Sequence, residues 1–596
     1  MSRKGKARRP LPYIASAAII LIVILVSVAT IIGNVYASKY SDLISVYFNQ
    51  KTSKVVSADN ETTEHFKSDY ASDKERQKAL GKMGTDILRE GVTLLKNNDS
   101  ALPLSKNAKI SVFGQDSVDP VYGGGGAGSI DTSKAKSLLS AFKDAGFDVN
   151  PTLTDFYTKG AGKDYRKTST DAYGKGEFAV NEVPVSKYTD DVKKSFSEYD
   201  DAAVVIIGRS GSESQDLPTG KLASGYTYLQ LDDNERAMLK MASGNFDKVV
   251  VLLNTQNPME LKDLEDDSVD AVLWIGSLGQ TGATGVAEAL NGTVNPSGHL
   301  TDTYAYDLKS APSSANFGSY TIVNSSQPFS TSYMAYSEGI YVGYRYYETR
   351  YEDVVLGNED KANYDYAEQV EYPFGYGLSY TDFEWSNYAM KKTADGYDMS
   401  VKVTNTGKTD GKDVVQLYMQ SPYTDYDRRN GIEKVSNELV GFAKTKLLKT
   451  GESETVTIHV DKEIPEDLRR QGRGHLHRGC GRLLLRRRNR RARRVEQHPR
   501  SQRQNHVGRH DQQGRRIACL QGHHPHTGRQ DIRRERGDRQ EDQQPVPGCR
   551  PRYLRRLVQV PVSLRLERHM ASHLQGRQVD RSPGVRRRAG RGHQAD

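Results

Sequence analysis

Three unbroken apolar runs constrain this chain more than any other feature: AAVVIIG (202–208), KVVVLLN (248–254) and DAVLWIG (270–276). Runs of this kind suit strands of a parallel sheet covered on both faces. KISVFG (109–114) reads as another strand, and SKAKSLLSAFKDAG (133–146) as a helix ending at a glycine stop. Residues 233–242 and 282–290 are helical stretches between the runs. Apolar spacing over 73–97 (Leu80, Met83, Ile87, Val92, Leu95) predicts an entry helix. Alternating strands and helices predict an α/β three-layer sandwich with a mostly parallel sheet, occupying 86–320.

The periodicity then changes. A connector over 321–380 is rich in tyrosine, including Tyr333, Tyr336, Tyr341, Tyr344, Tyr346 and Tyr347. Such rings can stack on sugars, but they serve more often as packing and hydrogen-bonding anchors, and they are read here as structural. MSVKVTNTG, KDVVQLYMQ and SETVTIHV alternate apolar with polar residues between turn-rich segments. They predict a small antiparallel β-sandwich over 381–463.

Charge divides the chain again. The net +9 hides two compositions. Residues 464–596 hold 34 Arg, no Lys and 12 acids, a net +22, while 1–463 hold 50 Lys and Arg against 63 acids, a net −13. All three cysteines (Cys480, Cys519, Cys549) lie in the basic tail, so the body has neither a disulfide framework nor a cysteine zinc site. No metal and no cofactor is implied.

At the other end, Arg3, Lys4, Lys6, Arg8 and Arg9 precede an uncharged stretch over 10–38. It is long enough for a hydrocarbon core of about 30 Å, and the positive flank holds the N-terminus in the cytoplasm. Val35-Tyr36-Ala37 resembles a signal cleavage site, but the apolar stretch exceeds the roughly 7–15 residues of a signal core. An uncleaved single-pass transmembrane helix over 1–38 is expected. A stalk and entry helix over 39–85 follow, and the main body lies outside the cytoplasm, with the membrane as a partner.

Four ordered motifs carry a family resemblance: GVTLLKNNDSALPL (91–104), GQTGATGVAEALNGTVNPSGHLTDTY (279–304), YSEGIYVGYRYYE (336–348) and YPFGYGLSYTDFEW (372–385). Together they resemble glycoside hydrolase family 3, the β-glucosidase-like enzymes, and the β-sandwich resembles the fibronectin type III-like domain that accompanies them. The resemblance implies hydrolysis of an oligosaccharide or β-glycoside by two carboxylates, an Asp nucleophile on a (β/α)₈ barrel and a general acid/base Glu on a sandwich loop. That loop should follow AAVVIIG and reads Gly-Glu-Gly in many members. Here it is GRSGSESQDLPTG (208–220), so Glu213 takes the acid/base position, flanked by serines. Asp216 is a lesser candidate, for a sugar hydrogen bond. Read from the residues alone, Glu213 is better explained as a solvated loop carboxylate, and the resemblance is what favours the acid/base role. The run GGGGAG (123–128) begins nine residues beyond Gly114 and lacks a following GKS or GKT. A substrate-side or plain flexible loop is expected rather than a nucleotide site.

No stretch ahead of residue 86 has room for a barrel of about 250 residues. Some members of the family place it last, where the Arg-rich tail stands here. That tail reads three ways: a polyanion-binding arm, a disordered solvated tail, or a product of the wrong reading frame. The body holds 38 Lys and 12 Arg, and the abrupt switch to arginine alone is a codon-level signature. Back-translating 469–501 and shifting one base permits a sequence containing TYIVDAADYYFAAG, the alternating apolar strands that the β-sandwich lacks. The reading adopted is a frame break near Glu463, a disordered tail, no nucleophile in this chain and no specific nucleic-acid partner. The competing reading is a non-catalytic cell-surface carbohydrate-binding or scaffold protein.

Overall fold

A computed structural model describes residues 11–39, 68–165, 178–318, 320–323, 332–356, 364–421, 423–461, 482–486 and 517–521. The chain divides into two units, 1–76 and 77–596. In the first, α1 (Leu11–Lys39) is a single helix, and its described side chains at 19–34 are exposed. Among the described residues no helix is long and apolar enough to cross a membrane. The expected transmembrane anchor is therefore not supported by the described residues, and the side chains of 11–18 lie outside them. Most of the expected stalk, 40–67, does too.

Helix α2 (Asp73–Gly91) ends earlier than its apolar spacing predicts, and Val92 and Leu95 belong to β1 (Thr93–Asn97) and its approach. Leu80, Met83 and Ile87 of that spacing are exposed. The helix packs instead through its small residues. A Cβ on Gly84 would lie 2.6 Å from the Thr281 hydroxyl, and one on Gly285 would lie 2.9 Å from Arg89 N. Leu88 is the buried anchor of this contact.

The expected sheet is present. It comprises β1, β2 (Lys109–Phe113), β3 (Asp148–Val149), β4 (Ala202–Arg209), β5 (Val249–Thr255) and β6 (Ala271–Trp274), in the order β1-β6-β5-β4-β2-β3. All neighbours are parallel except β1, which runs antiparallel to β6. The unbroken apolar runs are explained by cover on both faces. Ala203, Val205 and Ile207 pack on one side with Leu153 of α4 (Pro151–Thr158) and Met238 of α6 (Asp233–Ser243). Ala202, Val204 and Ile206 pack on the other with Phe142 of α3 (Leu138–Asp144) and Val286 of α7 (Ala283–Leu290). Helix α5 (Asp190–Ser195) adds Val192 to the first side.

Short pairs follow: β7 (Tyr304–Ala305) with β10 (Val370–Tyr372), and β8 (Tyr320–Thr321) with β9 (Ser332–Tyr333). Between them lies α8 (Tyr344–Leu356). Most connector tyrosines are structural as expected: Tyr341 and Tyr347 are buried, and Tyr344 stacks on Phe374 with ring centroids 4.4 Å apart. Tyr333 and Tyr336 are exposed, at 38% and 72%.

The β-sandwich sets β11 (Phe383–Lys392), β12 (Gly396–Asn405) and β15 (Ser453–Asp461) against β13 (Val414–Gln420) and β14 (Glu438–Lys444). Trp385, Val401, Val403, Leu417 and Ile458 fill the space between. Trp385 is satisfied as well as buried, its indole donating to Asp413 Oδ2 at 2.6 Å.

The tail departs from the expectation of complete disorder. Arg482–Arg486 forms β16, antiparallel to β13, and Ile517–Gln521 forms β17 outside it. The unpaired edge of β13 offers free N–H and C=O groups, and Leu483–Leu485 is one of the tail's few apolar runs. The rest of 462–596 lies outside the described residues.

The two domains of this unit meet through a charged contact. Lys444 Nζ donates to Glu90 O and Oε2, each at 2.9 Å, and to Ser297 Oγ at 3.1 Å, while Lys412 also pairs with Glu90.

Candidate active site

Strand order fixes where a ligand can sit. From β2 the chain winds outward to β3, then returns to place β4 on the other side of β2, and continues through β5 to β6. The winding reverses between β2 and β4, and a crevice opens outside the carboxyl ends of those two strands. The loop after β2 and the loop after β4 form its walls. The first contains the glycine run 123–128 and the second contains Glu213.

The second loop leaves the sheet at Arg209 and returns at Tyr228. Its neck is closed by Arg209, which is fully buried. Arg209 Nη1 and Nη2 donate to Glu235 Oε1 and Oε2 at 2.8 and 2.7 Å. Nε donates to Tyr228 O at 2.5 Å and Nη2 also to Gln230 O at 2.8 Å, so one guanidinium holds the returning chain. Glu235 in turn belongs to a capping box with Asp232 at the start of α6. The outgoing end is tied by Tyr228, whose hydroxyl accepts from Ser210 N at 2.9 Å. Gln256 adds a third tie, accepting from Gly211 N at 2.6 Å.

Glu213 is exposed at the loop's crest. The residue after it, Ser214, has φ of 61°. This left-handed conformation costs an L-residue about 1–2 kcal/mol relative to glycine. The pattern Gly-Glu-Gly therefore has a physical reason at its second glycine, and this chain carries the strain of a serine there.

The glycine run proves to be the partner of Glu213. Gly125 N donates to Gly211 O at 3.0 Å, and Glu213 N donates back to Gly125 O at 3.2 Å. Ala127 N donates to Glu213 Oε2 at 2.7 Å. A side chain would block this approach, since a Cβ on Gly124 would lie 3.1 Å from Gly211 O and one on Gly123 only 2.4 Å from Gly128 O. The second candidate, Asp216, is exposed on the same loop and makes no hydrogen bond among the described residues. No hydrogen bond joins it to Glu213.

Beneath the crevice lies a buried polar floor. Asp116 accepts from Gly208 N at 2.8 Å, and Glu182 accepts from Gln115 N and Val183 N, each at 2.8 Å. Burial pushes the Glu182 carboxyl up to about 8, with Asp116 and Glu235 adding to the rise. Among the described residues no group of three or more His, Cys, Asp or Glu could hold a metal ion.

Arg209, Glu235 and Gln256 were not assigned roles from sequence, and the glycine run, expected as a substrate-side or plain flexible loop, is a strap bonded to Glu213. The only signal was the acidic pair at 232 and 235, spaced as a capping box ahead of a helix.

The site is thus a carboxylate on a switch-point loop of a doubly covered, mostly parallel sheet, joined to a β-sandwich. Comparison with known proteins agrees. Residues 92–344 match the glycosyl hydrolase family 3 C-terminal domain, and residues 413–469 match the fibronectin type III-like domain. The chain thus carries a glycosyl hydrolase family 3 C-terminal domain and a fibronectin type III-like domain. It is 36% identical to a beta-glucosidase of Ruminococcus albus over 376 residues, covering 63% of this chain and 35% of that protein. It is 31% identical to beta-glucosidase A of Butyrivibrio fibrisolvens, covering 62% and 44%. Among solved structures, beta-glucosidase 3B from Thermotoga neapolitana in complex with glycerol superposes with a TM-score of 0.54 at 30% identity, covering 70% of this chain and 53% of that one. The chain spans less than half the length of these two curated relatives.

Proposed function

We propose that this chain carries the acid/base half of a β-glucosidase-type site, with Glu213 as the proton donor and acceptor. The observation that carries the reading is the place of Glu213: exposed at the crest of a loop whose neck is fixed, beside the crevice at the sheet's switch point. In a retaining cycle the Glu213 carboxyl gives its proton to the glycosidic oxygen as the bond to the anomeric carbon breaks. The carboxylate left behind then takes a proton from the water that releases the sugar. The covalent step needs a second carboxylate, the Asp nucleophile expected on a barrel. We propose that the chain as written lacks it because the frame breaks near Glu463.

Two measurements test this. The 596-residue chain is expected to hydrolyse aryl β-glucosides no faster than buffer, and family-like rates would sink the proposal. Resequencing the coding DNA and restoring the frame is expected to return activity. In the restored form Glu213→Gln should cost kcat/KM for phenyl β-glucoside about 10²–10⁴-fold while sparing kcat/KM for a dinitrophenyl glucoside, whose leaving group needs no proton. Equal losses on both would remove Glu213 from the acid role. If no barrel appears in any frame, the non-catalytic carbohydrate-binding or scaffold reading stands instead.

We also propose that the acidic body lies outside the cytoplasm, tethered through 11–39, on the strength of the five positive charges before that helix. Protease added to intact cells is expected to digest residues 77–461. Complete protection in intact cells but not in lysed ones would overturn it.

A further inference from the structure

We propose that the glycine strap 123–128 is the positioning element of Glu213 and divides its two carboxyl oxygens between separate tasks: Oε2 is held by the strap, and Oε1 is the oxygen that exchanges the proton with substrate. The inference rests on the reading of Glu213 as the acid/base and goes beyond it.

The argument begins with freedom. A glutamate on an exposed loop has three rotatable side-chain bonds, and proton transfer needs its oxygen held within hydrogen-bond reach of the glycosidic oxygen. The crest of 210–227 does not provide that restraint by itself. The neck is fixed by Arg209 and Tyr228, but those ties lie at the base of the loop. The strap supplies the restraint at the crest. Its two backbone bonds, Gly125 N to Gly211 O and Glu213 N to Gly125 O, lay the strap alongside the loop as a short parallel bridge. That pairing fixes the Cα of Glu213. The third bond, Ala127 N to Oε2 at 2.7 Å, then fixes the carboxyl end. With Cα and one oxygen both held, the side chain has one way to point.

The division of oxygens follows from hydrogen-bond chemistry. A backbone N–H is a donor only, so Oε2 must act as an acceptor there and is poorly placed to carry the transferred proton. Oε1 has no hydrogen-bond partner among the described residues and faces solvent with the exposed side chain. The proton that leaves for the glycosidic oxygen, and the one later taken from water, therefore pass through Oε1, and Oε2 keeps its amide partner through both steps.

Glycine is required for the approach. Gly126 has φ of 76°, and an added Cβ on Gly123 would meet Gly128 O at 2.4 Å, a backbone atom that cannot yield without moving the strap. The run read from sequence as a flexible loop is, in this account, a rigid positioning device.

The test needs no turnover. The full 596-residue chain, labelled with ¹⁵N at alanine and glycine, is followed by amide resonance position and hydrogen exchange. Glu213→Ala is expected to move the Ala127 amide upfield and to speed its exchange about fivefold to tenfold, the factor that loss of one ordinary hydrogen bond gives. Glu213→Gln, which keeps an acceptor without the charge, should fall between. In a Gly123→Ala background the Ala127 amide should no longer respond to Glu213→Ala, because strap and carboxylate are already parted. The Gly208 amide, held by Asp116, reports that the sheet is intact in every variant. An Ala127 amide identical in wild type and Glu213→Ala overturns the proposal, as does a full response persisting in the Gly123→Ala background. A positive coupling combined with a failed leaving-group test overturns the proton-transfer role of Oε1 and keeps the strap as holder of Glu213. An absent coupling overturns the strap whatever hydrolysis shows.

Discussion

Replacing Arg209 by methionine is expected to cost about 3–5 kcal/mol of folding stability, the usual consequence of breaking a buried ion pair by removing one partner. Arg209 and Glu235 are 0% and 2% exposed, so the carboxylate left behind has no route to bulk water. Four further acceptors and donors lose their arrangement with it. The carbonyls of Gly208, Tyr228 and Gln230 lose a donor, and Asp232 N, which donates to Glu235 Oε2 at 3.0 Å, sees its acceptor shift. Urea unfolding of the wild type and the Arg209→Met variant measures the cost, and a difference under 1 kcal/mol would contradict it. The double change Arg209→Met with Glu235→Leu is expected to recover much of the loss, since an apolar pair of similar volume strands no charge.

Stability should also fall as pH rises from about 4.5 to about 8, and Glu182 is the reason. The folded chain holds this carboxyl protonated, with its titration pushed up to about 8 by burial first and by the neighbouring Asp116 and Glu235 second. The unfolded chain titrates near 4.5. Between those two values the native state binds the extra proton, so unfolding becomes easier with each increment of pH. Below the window the contribution is fully present, and above it the loss is complete, on the order of a few kcal/mol. The hydroxyls of Tyr157 and Tyr188, hydrogen-bonded to each other and buried close by, share the same low-dielectric floor. Glu182→Gln keeps the acceptor for Gln115 N while removing the titration. Its unfolding free energy is expected to lose most of this slope between pH 5 and 8, and an unchanged slope would assign the effect elsewhere.

The sheet was legible because its strands are covered on both faces: AAVVIIG needs no polar residue until Arg209. The β-sandwich was legible for the opposite reason, since strands such as β12 keep one wet face and alternate. The helix α2 was misjudged at its end and its face because it packs by close approach at glycines, and a glycine gives no apolar signal. Glu213 was found through a family motif, and its geometry was not foreseen. Its partner Ala127 lies 86 residues away in the chain, and the interaction uses backbone atoms that no side-chain pattern announces. Arg209 falls within the loop segment 208–220 by sequence, whereas its guanidinium is buried at the loop's neck. The strand at 482–486 was not legible because Leu483–Leu485 is a short apolar run inside an Arg-rich tail whose average composition is that of a disordered segment.

The reversal of winding between β2 and β4 has an evolutionary consequence. The crevice is made by the route of the chain, and its floor by side chains that never reach solvent. Changes in the two loops that spare Val121, the strap 123–128 and Glu213 therefore leave the floor and the carboxylate in place, while they reshape what can enter. Selection can alter the guest through those two loops without repaying the cost of the scaffold each time. A domain wound in this way can be passed among enzymes of differing preference with its framework untouched.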